Sequence, residues 1–187
     1  MHKMALGSVA IAFAVATAPA AHAQMSVSSA EIAEGSVAKM EQVANVFGCK
    51  GDNISPSVKW TGAPDGTKSF VITIYDPDAP TGSGWWHWVV FNIPASTTSL
   101  PKNAGDVKKK LLPSGAIQIR NDYGFDGYGG MCPNAGPAHH YTLTVYAMDI
   151  EKIEGGNEKT TAPVIGFNAH FHAKGKAELH WTYSQPQ

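Results

Sequence analysis

Two apolar segments, Phe70 to Asp76 and Trp85 to Ile93, are joined by a loop rich in Gly and Pro, Pro77 to Gly84, and this pairing constrains the chain more than any other feature. Alternate side chains of a β-strand share a face. In the first segment Phe70, Ile72, Ile74 and Asp76 therefore line one side. In the second, Trp85, His87, Val89, Phe91 and Ile93 share one side, while Trp86, Trp88 and Val90 make the other equally apolar, the pattern of a strand covered on both faces. A third segment, His139 to Met148, sets His139 in line with Tyr141, Leu143, Val145 and Ala147. In all three a polar or titratable group ends an apolar face. An acid and two histidines at the ends of apolar strands suit a site better than a core.

The remaining pattern is mostly β. Ser57 to Trp60 and Ala116 to Arg120 alternate or run apolar, and Gly, Pro, Asn and Asp punctuate the gaps. One helix is expected near the end, capped by Thr161, with Pro163 in its first turn and Gly175 just past its last, followed by a closing strand from Ala177 to Tyr183. Two loops are unusually rich in Gly and Pro, Pro77 to Gly84 and Tyr123 to Ala138, and loops of that kind are often functional.

At the start of the chain, Lys3 precedes an apolar run, Ala5 to Ala18, that is too short to span a bilayer. Ala21-His22-Ala23 before Gln24 fits a small-residue cleavage site, so residues 1–23 read as a secretory signal peptide. What remains, 24–187, has the length of one domain. Removing 1–23 takes away Lys3 and no acid, which moves the formal net charge from -1 to -2. That balance favours no nucleic-acid partner, and no transmembrane segment is expected after cleavage. The expected location is periplasmic or secreted, where an oxidising environment lets Cys49 and Cys132 pair. A disulfide is expected there, the alternative being two free buried thiols.

Enzyme classes with a sequence fingerprint find no support. The chain has no Gly-x-Ser-x-Gly elbow, no P-loop and no dinucleotide fingerprint, so no cofactor is implied. Asp76 and Asp78 straddle Pro77 in a loop, which does not by itself set them across a substrate. His170 and His172 could chelate a metal from a strand. On the expected helix they point about 200 degrees apart, so no metal site is assigned.

Four motifs in order, Asp76-Pro77-Asp78-Ala79-Pro80, Trp85-x-His87, Gly129-Gly130-x-Cys132-Pro133-x-x-Gly136 and His139-His140-Tyr141, resemble the phosphatidylethanolamine-binding protein family, in particular its bacterial Raf kinase inhibitor-like branch. The likeness runs from about Asn53 to His172. It implies an antiparallel Greek-key β-sandwich carrying a shallow pocket for phosphate, acetate or a phosphoryl headgroup. The positions that match are Asp76, Asp78, His87, His139 and Tyr141, with the Gly129 to Gly136 loop as one wall. The family often has Arg after its motif histidine. Here His140 stands in that place, and it lacks the permanent, forked charge of a guanidinium.

The resulting expectation is an exported, non-enzymatic binding protein for a small anion or phosphorylated headgroup. In it His87 and His139 donate to the anion, Tyr141 shapes the pocket or donates, and Asp76 orients a histidine. The alternative is a protein inhibitor of a peptidase or kinase-like partner, with a protein partner at the pocket rim.

Overall fold

The computed structural model describes residues 24–185. The expected leader, 1–23, lies outside the described residues. The chain forms β1 (Ser26–Ser28), β2 (Ser36–Val37), β3 (Val58–Thr61), β4 (Ser69–Asp76), β5 (Trp85–Pro94), β6 (Ser99–Leu100), β7 (Ile117–Gln118), β8 (His139–Met148), α1 (Ala162–His172) and β9 (Ala173–Tyr183). The mainly β expectation holds.

Six strands form one sheet in the order β2-β9-β8-β4-β5-β7, and three form a second in the order β1-β3-β6. Pairing is antiparallel except at the two-residue edge strand β2, which runs parallel to β9. Within the large sheet β4, β5 and β7 follow one another, and β8 then returns beside β4, which is the Greek-key order.

The apolar alternation has its cause in two layers. Between the sheets, Val58, Trp60 and Leu100 pack with Phe70, Ile72, Ile74, Trp88, Leu143 and Val145. On the far side of the large sheet, Val71, Val89, Phe91, Ile119 and Met148 are covered by Ala162, Ile165 and Ala169 of α1. The central strands are thus buried on both faces, as the Trp-rich segment requires. Each fully buried Ile or Val side chain contributes about 1.5–3 kcal/mol relative to exposure.

Strict alternation fails inside β5. Ile74 pairs with Trp88 but Tyr75 with Trp86, so His87 is an extra residue, and a second shift lies between Phe70 opposite Ile93 and Ile72 opposite Val90. These irregularities behave as bulges, which re-aim side chains. Val89 and Phe91 therefore face α1, whereas Ile93 returns to the layer between the sheets. The expected common face of His87, Val89, Phe91 and Ile93 is corrected accordingly. Asn92, in the left-handed region at φ 55°, marks the second shift.

Boundaries also move. The strand expected over Ser57 to Trp60 begins and ends one residue later, and of Ala116 to Arg120 only Ile117–Gln118 pairs as strand. The helix has Thr161 at its N-cap and Pro in its first turn, as read, but it passes straight into β9 through an extended Ala173. Gly175 is therefore no helix terminator. It sits opposite Ala147 in β9, where an added Cβ would stand 3.0 Å from the Pro64 ring and 3.3 Å from the Met25 sulfur.

Cys49 and Cys132 are bridged, with their Cα atoms 5.9 Å apart. The bridge closes an 83-residue separation and ties the loop before it to the Gly-rich loop that carries Cys132.

Candidate functional site

β4, β5 and β8 bring their polar ends to one side of the large sheet, where Asp76 pairs with Trp85 in register and His139 with Tyr183. A pocket of about 280 Å³ opens there, lined by Asp76, His87 and His139 among others. Pro77 turns the chain out of β4, and the Asp76 carboxylate closes that turn on itself. Its Oδ1 accepts the backbone N–H of Asp78 at 2.8 Å and of Ala79 at 3.1 Å. Its Oδ2 accepts the Nδ1–H of His139 at 2.8 Å. Asp76 is buried, so these three donors are what makes an ionised carboxylate tolerable there. They also fix the His139 ring, leaving its Nε2 free to serve the pocket.

His87 is held differently. It is 2 % exposed, and its Nδ1 donates to the Gly129 carbonyl at 2.7 Å. A carbonyl can only accept, so Nδ1 carries the proton and Nε2 is a bare acceptor in the neutral ring. That Nε2 is buried and has no partner. Burial pushes the imidazole down to about 4, against the opposing pull of the Gly129 carbonyl and the Asp76 charge. His87 is therefore neutral at neutral pH. The expected donor is an acceptor.

Behind His87, with ring centroids 5.3 Å apart, lies Tyr141, which is fully buried with its hydroxyl unpartnered. Burial, reinforced by the Asp76 carboxylate, raises its phenol well above the ordinary tyrosine range, so it stays an O–H. Tyr141 stacks on Trp181 of β9 at 5.9 Å, and the Trp181 and Trp85 indole N–H groups are likewise without partners. The structure thus brings Asp76, His87, His139 and Tyr141 together, although Tyr141 lies beneath the pocket and not on its lining. Asp78 it draws away. Asp78 accepts both the backbone N–H of His140 at 2.7 Å and its Nδ1–H at 2.6 Å on the exposed rim, and the His140 side chain is the main cause that lowers its carboxyl.

The wall is built by glycines for lack of room. A Cβ on Gly129 would overlap the Tyr123 ring, and one on Gly130 would overlap the backbone of Gln42 and Ala44. Asn53 secures this loop, accepting the Gly130 N–H at 2.7 Å and donating to the Tyr128 carbonyl at 3.2 Å. Cys132, Pro133 and Asn134 then line the pocket, as the Gly129 to Gly136 reading anticipates.

Sequence reasoning missed Phe47, Tyr123 and Gln185, which also line the pocket, and it gave no pocket role to Trp85, which is a half-buried lining residue. The Phe47-Gly48-Cys49 turn and the Tyr123 loop were visible signals. Nothing in the sequence marks Gln185, whose Nε2 donates to the Pro133 carbonyl at 2.7 Å.

The family model for phosphatidylethanolamine-binding protein matches residues 31–184. Among relatives, the UPF0098 protein YbcL of Escherichia coli is 46% identical over 178 residues, covering 95% of this chain and 96% of that protein. The UPF0098 protein YbhB of the same organism is 46% identical over 155 residues, covering 83% and 97%. The crystal structure of E. coli YbcL, described as a new member of the mammalian PEBP family, superposes with a TM-score of 0.85 at 45% identity, covering 88% of this chain and all of that one.

Proposed function

Because the chain belongs to the phosphatidylethanolamine-binding protein family, we propose that it is an exported, non-enzymatic binding protein whose pocket takes a small oxyanion of the phosphoryl class. One observation carries this reading: a buried His87 Nε2 without a partner, on the lining of a pocket whose neighbouring histidine is oriented by a carboxylate. A desolvated acceptor left unpaired costs about 1–3 kcal/mol, which a bound hydrogen-bond donor recovers. Four buried polar atoms without partners belong to residues at this end of the sheet: the acceptor His87 Nε2, the hydroxyl Tyr141 Oη, and the donors Trp85 Nε1 and Trp181 Nε1.

The donor and acceptor pattern favours an anion that still holds a proton. In the complex His139 keeps its Nδ1–H on Asp76 and donates from Nε2 to an anionic oxygen, the ring taking up its second proton together with the anion. His87 Nε2 accepts from a P–OH, and the other phosphoryl oxygens are free to meet bound water. Inorganic phosphate offers both functions near neutral pH, whereas a phosphate monoester offers the P–OH only as its monoanion, below a second pKa of about 6. Sulfate offers only acceptors. The Cys49–Cys132 bridge supports a working place in an oxidising compartment.

Calorimetric titration of residues 24–187 with phosphate and with sulfate at pH 7 tests the assignment. Phosphate is expected to bind more tightly than sulfate, with the gap narrowing only as pH falls toward about 4, where His87 gains a proton from the medium. Equal affinity at pH 7, or no binding of either ion, contradicts it.

A further inference from the structure

The polar end just described occupies only part of the pocket. At about 30 Å³ per water in liquid, four oxygens of an oxyanion displace on the order of 120 Å³. The cavity measures about 280 Å³. The remaining space is bordered by an aromatic wall. Trp85 meets Tyr123 edge-on with centroids 5.0 Å apart, and Tyr123 in turn meets Phe47 at 5.5 Å. All three line the cavity.

Phe47 is the unusual member. It is 74% exposed, and its backbone sits at φ 51° followed by Gly48 at φ 86°, in a turn closed by the Cys49 N–H to the Val46 carbonyl at 3.0 Å. A turn with two consecutive positive φ values favours Asn, Asp or Gly at its first central position, and a phenylalanine there is strained. It also leaves a phenyl ring in water. Within the fold the ring has only the Tyr123 contact and belongs to neither core cluster. The bridge from Cys49 to Cys132 anchors this turn to the opposite loop and so keeps the ring at the pocket mouth.

We propose that the ligand is an oxyanion carrying an aromatic ring, an aryl phosphate or a close chemical equivalent, whose ring lies against Phe47, Tyr123 and Trp85 while its anionic group meets His139 and His87. Phe47 is then a specificity-determining residue for that ring. The assignment rests on the pocket proposed above and refines its ligand class. A flat aromatic group loses little conformational freedom on binding and gains from offset or edge contacts with the wall. A flexible aliphatic arm of similar size loses rotamer freedom and gains no such contacts.

Calorimetry at about pH 5, where all three ions hold a P–OH and His87 is still mostly neutral, with inorganic phosphate, phenyl phosphate and butyl phosphate, on wild type and on Phe47→Gly, tests the proposal. Glycine suits the left-handed backbone, so this variant keeps its fold, and a thermal melt verifies that. Phenyl phosphate is expected to bind at least about tenfold more tightly than inorganic phosphate, the size of one good aromatic contact with its buried area. Butyl phosphate is expected to gain less. In Phe47→Gly the ratio of phenyl to inorganic phosphate affinity is expected to fall toward one, and in Phe47→Trp to persist. Inorganic phosphate binding with no advantage for phenyl phosphate overturns the aromatic assignment and leaves the pocket standing. An equal gain for butyl phosphate, or an unchanged ratio in Phe47→Gly, overturns it as well. Binding of none of the three overturns the pocket itself.

Discussion

The two ends of the central strands obey opposite rules. At the end away from the pocket, the buried polar groups of the strands find partners within the fold: Ser69 Oγ donates to the Ile150 carbonyl at 2.6 Å, and Asn92 Oδ1 accepts the Ile153 N–H at 2.9 Å. At the pocket end, His87 Nε2 and Tyr141 Oη are equally buried and have none. Both ends belong to one sheet whose faces are buried along its central strands, so the difference is local chemistry and not packing quality. Internal satisfaction marks structure, and polarity left unpaired beside a cavity marks a place where something from solution completes the set.

The largest effect expected from breaking this contrast lies in the bridge that frames the pocket end. Replacing Cys49 and Cys132 together by Ala releases a loop whose closure is worth about 4–5 kcal/mol in the chain-entropy model. Chemical denaturation should show a lower midpoint. Hydrogen exchange should show the Gly129 to Pro133 wall losing protection before Ser69 and its neighbours; uniform loss at both ends would erase the contrast.

The next effect is the pH dependence that His87 supplies at the pocket end. His87 is held at about 4, well below its ordinary value of 6.5. Its native state thus resists a proton that the unfolded chain accepts. Unfolding then takes up protons between about pH 6.5 and 4, so this stability is complete above that window and lost as pH falls through it, to about 3 kcal/mol. The slope of stability against pH in that window should be shallower in His87→Phe than in wild type, and also shallower for wild type with bound phosphate. Identical slopes for wild type and variant would show that His87 is not the group involved.

How far these ends could be read from residues alone follows from the range of the forces involved. Period-two alternation is local, so the ends of β4 and β8, and with them Asp76, His139 and the burial of Tyr141, were legible. The extra residue at His87 was not, because a bulge is fixed by the partner strand. Nor was the His87 tautomer, which depends on a carbonyl 42 residues away. Phe47 and Gln185 reach the pocket through the bridge and through the chain beyond β9, contacts that have no signature in local sequence. The motif resemblance covered the polar end of the site and, of its aromatic wall, only Trp85.

A ligand effect of somewhat smaller size should appear at a hundredfold excess of phosphate over its Kd, where mass action on the native state adds about 2.7 kcal/mol. Thermal melts should show that gain in wild type and lose most of it in His87→Phe, whose own baseline must be recorded because the Gly129 carbonyl loses its donor. Ser69→Ala supplies the matching perturbation at the other end. It removes one satisfied hydrogen bond, about 1 kcal/mol, and should leave the phosphate-induced shift intact. A reduced shift in Ser69→Ala would mean that the two ends are not independent.

The central claim, that His87 presents a bare acceptor awaiting a donor from solution, is tested most directly by nitrogen NMR of the protein labelled with ¹⁵N-histidine at pH 7. Without ligand, His87 should appear as the neutral ring protonated at Nδ1, with Nε2 at the shift of an unprotonated nitrogen. Added phosphate should move the Nε2 resonance toward that of a hydrogen-bonded or protonated nitrogen while Nδ1 stays bonded to Gly129. An Nε2 already protonated in the free protein, or one that phosphate leaves unmoved at saturation, contradicts the claim.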